Sequence, residues 1–427
     1  MATPTRKHTR TARPVGERAV APDGLVAVLD HIRAHGESSR AELAQATGLG
    51  RSIVTQRIDA LLDCGLLAED RVGPSTGGRA PRLLRFRADA GYLLVADLGA
   101  TSADVALADL SGHIVAHRQE PSDIAAGPDE VLDQVERLFA ECVAEASPLA
   151  GSLWGIGVGV PGPVEFESGR PVSPPIMPGW DGFRVRERFT ARGVPVWVDN
   201  DVNVMALGEL TAGCGRGVDD FVFVKIGTGI GAGIVVDGRI HRGAQGSAGD
   251  VGHIYVQAGG REVICRCGMS GCLEAFAGGA ALGRDAEAAA REGRSELLRS
   301  LLEEHGSLSA ADVALASKHG DPVGIELITE AGRLIGQMLT GVVNLFNPSL
   351  IVIGGGVAGA GDLLLATIRQ AIYRRSLPLA TRDLIVRRSA LDGRAGVIGA
   401  ATMVANELFA REYLPRWLGA GTPAGRP

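Results

Sequence analysis

The stretch YLLVADLGATSADVALADLSGHIV at residues 92–115 is echoed some 130 residues later by FVFVKIGTGIGAGIVVDGRIH at residues 221–241. Each reads as an apolar strand, a Gly/Thr turn, a second strand, a D-x-S-G or D-G turn and a third strand. Two copies of one β-hairpin element predict two similar lobes facing a cleft. The turns themselves suit anions, because glycines let the main chain come close and present N–H groups. Asp97, Gly99 and Thr101 mark the first turn, and Gly227, Thr228, Gly229 and Gly231 the second. In the first, an acid directly after a strand would lie near a metal ion.

The remainder of this region alternates strand and helix, as an α/β body requires. Helical patterns run near 129–145, 282–305, 311–318 and 322–345, with strands near 154–160, 194–198 and 350–353. The last strand runs into Gly354-Gly355-Gly356, and a final helix at about 396–408 is expected to return to the first lobe. These limits place the body at 89–412, with lobes of 89–198 plus 396–412 and of 199–395, and a tail at 413–427.

Two further clusters carry chemistry. In VDNDVN, at the end of the 194–198 strand, Asn200 can donate to and accept from sugar hydroxyls, and Asp201 can take a hydroxyl proton as general base. GDVGH followed by CRCGMSGCLE has the spacing H-x11-C-x-C-x4-C. One imidazole and three thiolates, His253, Cys265, Cys267 and Cys272, form the closed tetrahedral set of a structural zinc site, with no open position for catalysis. Zinc there would pin the loop carrying Asp250, His253 and Glu274, all polar and available to a ligand. Cys64, Cys142 and Cys214 read as ordinary small residues, and six cysteines in such a chain do not make a disulfide framework.

The N-terminal region has a different texture. Residues 1–20 are rich in Arg, Thr and Pro and are expected to be a disordered basic tail. Residues 21–88 read as three short helices and a hairpin. Leu25, Val28, Leu29 and Ile32 share one face, Ser39 and Glu42 suit a capping box, and Gly48 ends the second helix. The third helix, about 51–64, buries Val54, Ile58, Leu61 and Leu62 and is expected to expose Ser52, Thr55, Gln56 and Arg57. With the hairpin whose tip holds Gly78 and Arg79, this is a winged helix-turn-helix, whose small polar side chains can approach base edges in a DNA groove.

Charge agrees with that split. The net of −6 over 427 residues argues at first against a nucleic-acid partner. Residues 1–90 nevertheless hold 14 Lys+Arg against 10 Asp+Glu, leaving residues 91–427 at 29 against 39. A positive reader precedes an acidic body. The basic, polar N-terminus has no apolar core of a signal peptide, which predicts a cytoplasmic protein. The uncharged part of 334–361 is broken by Asn344, Asn347, Pro348 and the three glycines, so it reads as helix, turn and strand and not as a membrane span.

DLGAT, GVGVPGPV, PGW, DNDVN with ALGE, GTGIGAGI, GDVGH, CRCGMSGCLE and IGGG, in this order, resemble the ROK (repressor, open reading frame, kinase) family over about 92–408. The resemblance implies an actin-like, two-lobed sugar kinase body of ribonuclease H-like fold, and the added winged helix resembles the family's repressor branch. It implies a sugar pocket of Asn200, Asp201, Asp250, His253 and Glu274, with Asp201 as the base of any kinase reaction. ATP phosphates would meet Asp97–Thr101 and Gly227–Gly231, with the nucleoside near Gly354, Gly355 and Gly356. Three departures bear on sugar choice and phosphoryl transfer. Asp250 stands where kinases of the family carry Glu, Ile176 where Asn is common, and Ser102 follows GAT in place of GGT and a longer residue.

The expectation is therefore a sugar-responsive DNA-binding regulator, a repressor of carbohydrate genes. Its partners would be a double-stranded operator, a monosaccharide or sugar-phosphate effector, and a second copy or a dimer of dimers, with structural zinc as cofactor. The alternative is an ATP-dependent, glucokinase-like hexose kinase, which would add ATP and magnesium.

Overall fold

The computed structural model of the protein describes residues 22–74, 80–146, 151–256 and 258–425. The chain forms two compact units: residues up to Phe86 with Phe409–Gly421, and Arg87–Leu408 with the residues after Gly421.

In the small unit, helices Pro22–His35, Arg40–Thr47 and Arg51–Asp63 precede the hairpin Leu67–Val72 and Arg82–Phe86. The two-residue strand Ser38–Ser39 pairs with the far edge of Arg82–Phe86, closing a three-stranded sheet. Leu25, Val28, Leu29 and Ile32 are buried with Leu43, Val54, Ile58, Leu61 and Leu84. The capping box forms as the sequence requires: Glu42 N–H donates to Ser39 Oγ at 3.3 Å and Ser39 N–H donates to Glu42 Oε2 at 2.7 Å. Gly48 ends the helix at φ +66°, a conformation that costs a Cβ-bearing residue energy.

Two expectations need correction here. Arg57 is not exposed: it is buried, because residue 57 lies three after Val54 and four before Leu61 on the inward stripe. Residues 413–427 are not a simple tail. Leu414 and Trp417 are fully buried, and Phe409, four residues before this segment, meets the Phe86 ring edge-on at 5.6 Å. The Arg33 guanidinium lies 4.8 Å from the Phe409 ring centroid. The tail at 1–20 and the hairpin tip with Gly78 and Arg79 lie outside the described residues.

The large unit contains two five-stranded sheets with one topology. In the first, Gly91–Leu98, Ser102–Asp109 and Ile114–Pro121 form an antiparallel meander. Ser152–Val160 and then Val196–Asn200 add in parallel on the other side of Gly91–Leu98. In the second, Phe221–Ile226, Ile230–Val236 and Arg239–Ile240 are the meander, and Leu350–Gly354 and Ile385–Arg388 the parallel additions. The sequence echo is thus a repeated sheet.

Helix Asp201–Ala212 lies against the second sheet, where a Cβ on Gly233 would come within 2.6 Å of Ala206 Cβ. Helix Ala395–Leu408 does cover the first sheet, with Val404 over Gly155 and Gly157. The two helices touch backbone to backbone. A Cβ on Gly399 would fall 1.6 Å from the Val204 carbonyl oxygen, so only glycine fits there. Helix Pro322–Phe346 ends at Asn347, φ +54°, before strand Leu350–Gly354, and no helix among the described residues is long and apolar enough to cross a membrane.

Candidate functional site

A cavity of about 400 Å³ opens in the large unit where the ends of these elements meet. Its wall includes Asn200, Asp201, Asp250, His253 and Glu274, all five of the expected sugar contacts, together with Gly227, Thr228, Gly229 and Gly231. Asp97, Gly99, Thr101 and Gly354–Gly356 do not line it. Asp97 is buried behind it, Thr101 is exposed, and Gly354 sits inside the second sheet beside Phe223.

Strand Val196–Asn200 delivers Asn200 and Asp201 to the cavity floor. Asn200 caps the following helix, its Oδ1 accepting from Val202 N–H at 2.9 Å, while its Nδ2 donates to the Gly162 carbonyl at 2.8 Å. The amide is therefore held in place and retains one N–H for a ligand. Asp201 is buried; its Oδ1 accepts from Val202 N–H at 2.8 Å and its Oδ2 from Lys225 Nζ at 2.5 Å. Sequence reasoning passed over Lys225. The signal was there, because the chain has only three lysines, and this one interrupts the apolar strand FVFVKI. Arg51, exposed at the start of the third helix on the same side as Thr55, was missed as well.

Asp250, His253 and Glu274 come from loops tied to the cysteine cluster. His253 Nδ1 lies 3.7 Å from Cys265 Sγ and 4.0 Å from Glu274 Oε1, and His253 Nε2 lies 3.8 Å from Asp250 Oδ1. Glu274 Oε1 also accepts from the Cys265 thiol at 3.2 Å. Gly229 lies directly beneath it, where a Cβ would come within 2.5 Å of Glu274 Oε2 and displace that carboxylate. Burial pushes the Asp250 carboxyl above its ordinary range, opposed by His253.

Ligand atoms of His253, Cys265, Cys267 and Cys272 all lie within 4.8 Å of one another, and Cys267 and Cys272 are 3.6 Å apart. Tetrahedral zinc with bonds of about 2.3 Å to sulfur sets its ligands about 3.7 Å apart. The four residues therefore fit a closed metal site.

Opposed charges link the cavity wall to the carboxyl behind it. Burial raises the Asp97 carboxyl to about 7; Lys225 opposes this, and Asp201 and Asp104 add to it. For Lys225 burial works against the charge, but Asp201 and Asp97 outweigh it and raise its ammonium.

Comparison with known proteins agrees with this architecture. The model of the ROK family matches residues 94–407. The xylose repressor of Caldicellulosiruptor bescii is 31% identical over 372 residues, covering 87% of this chain and 92% of that protein. A crystal structure of a ROK family transcriptional regulator, homologous to the E. coli MLC protein, superposes with a TM-score of 0.79 at 29% identity, covering 95% of this chain and 99% of that one. A ROK family glucokinase from Streptomyces griseus, solved with glucose and AMPPNP, superposes with a TM-score of 0.63 at 30% identity, covering 73% of this chain and 99% of its own. With a sheet duplicated around a cavity, a Cys/His cluster at its wall and a family match over most of its length, the chain belongs to the ROK family.

Proposed function

We propose that the protein is a sugar-responsive repressor of transcription. The observation that carries this reading is the joining of a winged-helix unit to a ROK body, a combination over which likeness to a xylose repressor runs for 87% of the chain. The exposed face of helix Arg51–Asp63, with Ser52, Thr55 and Gln56, would read the major groove. The wing tip with Gly78 and Arg79 would contact phosphate or the minor groove. In the body, a monosaccharide would occupy the cavity against Asn200, Asp201, Asp250, His253 and Glu274. Zinc on His253, Cys265, Cys267 and Cys272 would hold that wall; His253 Nδ1 faces the cysteine and leaves Nε2 for the sugar.

Control follows from population shift. Sugar draws the two sheets toward Asp201, and in a homodimer this changes the spacing of two recognition helices, which an operator fixes at about 34 Å or a multiple. The acidic body keeps nonspecific DNA affinity low. The test titrates the full chain onto its own upstream DNA with a panel of pentoses, hexoses, amino sugars and their phosphates, xylose and glucose first. Retardation that one sugar alters supports the reading, and failure to retard any fragment at low salt refutes it.

Likeness to a glucokinase over the body supports kinase activity as the second reading, with Asp201 as base. Sugar-dependent ADP release that vanishes in Asp201→Asn would establish it.

A further inference from the structure

The duplicated element puts opposite charges at one equivalent position. Asp97 and Lys225 each stand two residues before the glycine that opens the turn, Gly99 and Gly227, and each lies on the central strand of its sheet. Lys225 is flanked by Gly231 and Gly354 on the neighbouring strands, so no side chain beside it blocks its extension. It reaches across to Asp201 at 2.5 Å, and with the Val202 N–H bond both oxygens of Asp201 are then engaged.

Asp97 completes the group. It is 4% exposed, and its Oδ1 has no hydrogen-bond partner among the described residues. A Cβ on Gly159 would lie 3.0 Å from that oxygen and 3.5 Å from Asp201 Cα, so both acids border Gly159. Lys225 and Asp201 thus meet in the cavity wall beside the Gly227–Gly231 turn, with Asp97 directly behind them and Asp104 its partner on the next strand. Hard divalent cations are held by oxygen clusters of this kind. Here the positive charge is covalently part of the chain, and a metal ion brought to the same oxygens would meet it at close range. A metal–nucleotide complex does not fit these residues as they stand.

We propose that Lys225 stands in for the divalent cation of this cleft, so that the body takes up its sugar without a metal–nucleotide complex and carries out no phosphoryl transfer. The inference rests on the sugar-sensing reading above, but it is tested without DNA or sugar, so that either can fail alone.

The experiment uses the full, zinc-loaded chain and reads Mn2+ binding by electron paramagnetic resonance together with the Tm in Mg2+. Wild type and Lys225→Arg are expected to bind Mn2+ at least about tenfold more weakly than Lys225→Thr, with a Tm that Mg2+ leaves unmoved. Lys225→Thr should melt lower than wild type and regain several degrees in Mg2+. Adding Asp97→Asn to Lys225→Thr should abolish both gains, which places the cation at Asp97. Should Lys225→Thr fail to fold, Lys225→Gln keeps the stem and a donor to Asp201, removes the charge, and is expected to gain Mn2+ affinity over wild type. Equal Mn2+ binding by wild type and the neutral variants, or no gain in either variant, would overturn the proposal.

Discussion

The two copies of the repeated sheet share a strand order and differ in what is packed against their turns. In the first copy the helix Ala395–Leu408 packs over Asp97, two residues before the turn, so tightly that a Cβ on Gly396 would lie 1.8 Å from Asp97 Oδ2, while only Ala100 of the turn reaches the cavity. In the second copy Gly227, Thr228, Gly229 and Gly231 face the cavity, and a Cβ on Gly356, just past its parallel strand, would meet nothing within 4 Å. The same motif therefore does two jobs. One copy buries the carboxyl at its strand end, while the other turns its strand-end cation to the cavity wall and balances that carboxyl.

This contrast can be broken experimentally. The largest effect is expected from Gly396→Ala, which forces the helix off Asp97 and should cost about 3–5 kcal/mol in urea unfolding. Unchanged stability would show that the helix is not pressed against Asp97. Asp201→Asn leaves Lys225, half-buried in the cavity wall, without its close counter-charge and should cost about 2 kcal/mol, most of it recovered in the double variant Asp201→Asn, Lys225→Met. Failure of the second change to rescue the first would separate the two residues energetically.

The pH dependence probes the buried carboxyl of the first copy. The Asp97 carboxyl sits near 7 in the folded chain and in the ordinary range near 3.8 when unfolded. A group raised in this way adds stability that is complete below about pH 4 and is lost as pH rises through 7. Relative to Asp97→Asn, the wild type should lose on the order of 4 kcal/mol between pH 4 and 8, read from urea midpoints. A flat difference would mean that Lys225 already neutralises Asp97. The smallest effect belongs to the open copy: Gly356→Ala should change stability by less than about 0.5 kcal/mol.

Much of this was legible in the chain itself because the signals are local. The echo at 92–115 and 221–241 announced a repeated sheet, the capping box at Ser39 and Glu42 set a helix start, and H-x11-C-x-C-x4-C announced the Cys/His cluster. Errors arose where a residue's surroundings come from elsewhere in the chain. Arg57 looks like a solvent-facing base until helix phase turns it inward. Residues 413–417 look like a tail until Trp417 is found buried in the first unit of the chain. Gly354–Gly356 keep their place at a strand end yet do not line the cavity.

By itself the sequence determined the duplicated β element, the winged helix, the cysteine cluster and the five polar residues that line the cavity, since periodicity, capping and ligand spacing act over a few residues. Only the tertiary structure decided that Asp97 and Lys225, 128 positions apart, act on one carboxylate cluster. Burial and Coulomb attraction depend on distance in space, and the chain's own order does not record it.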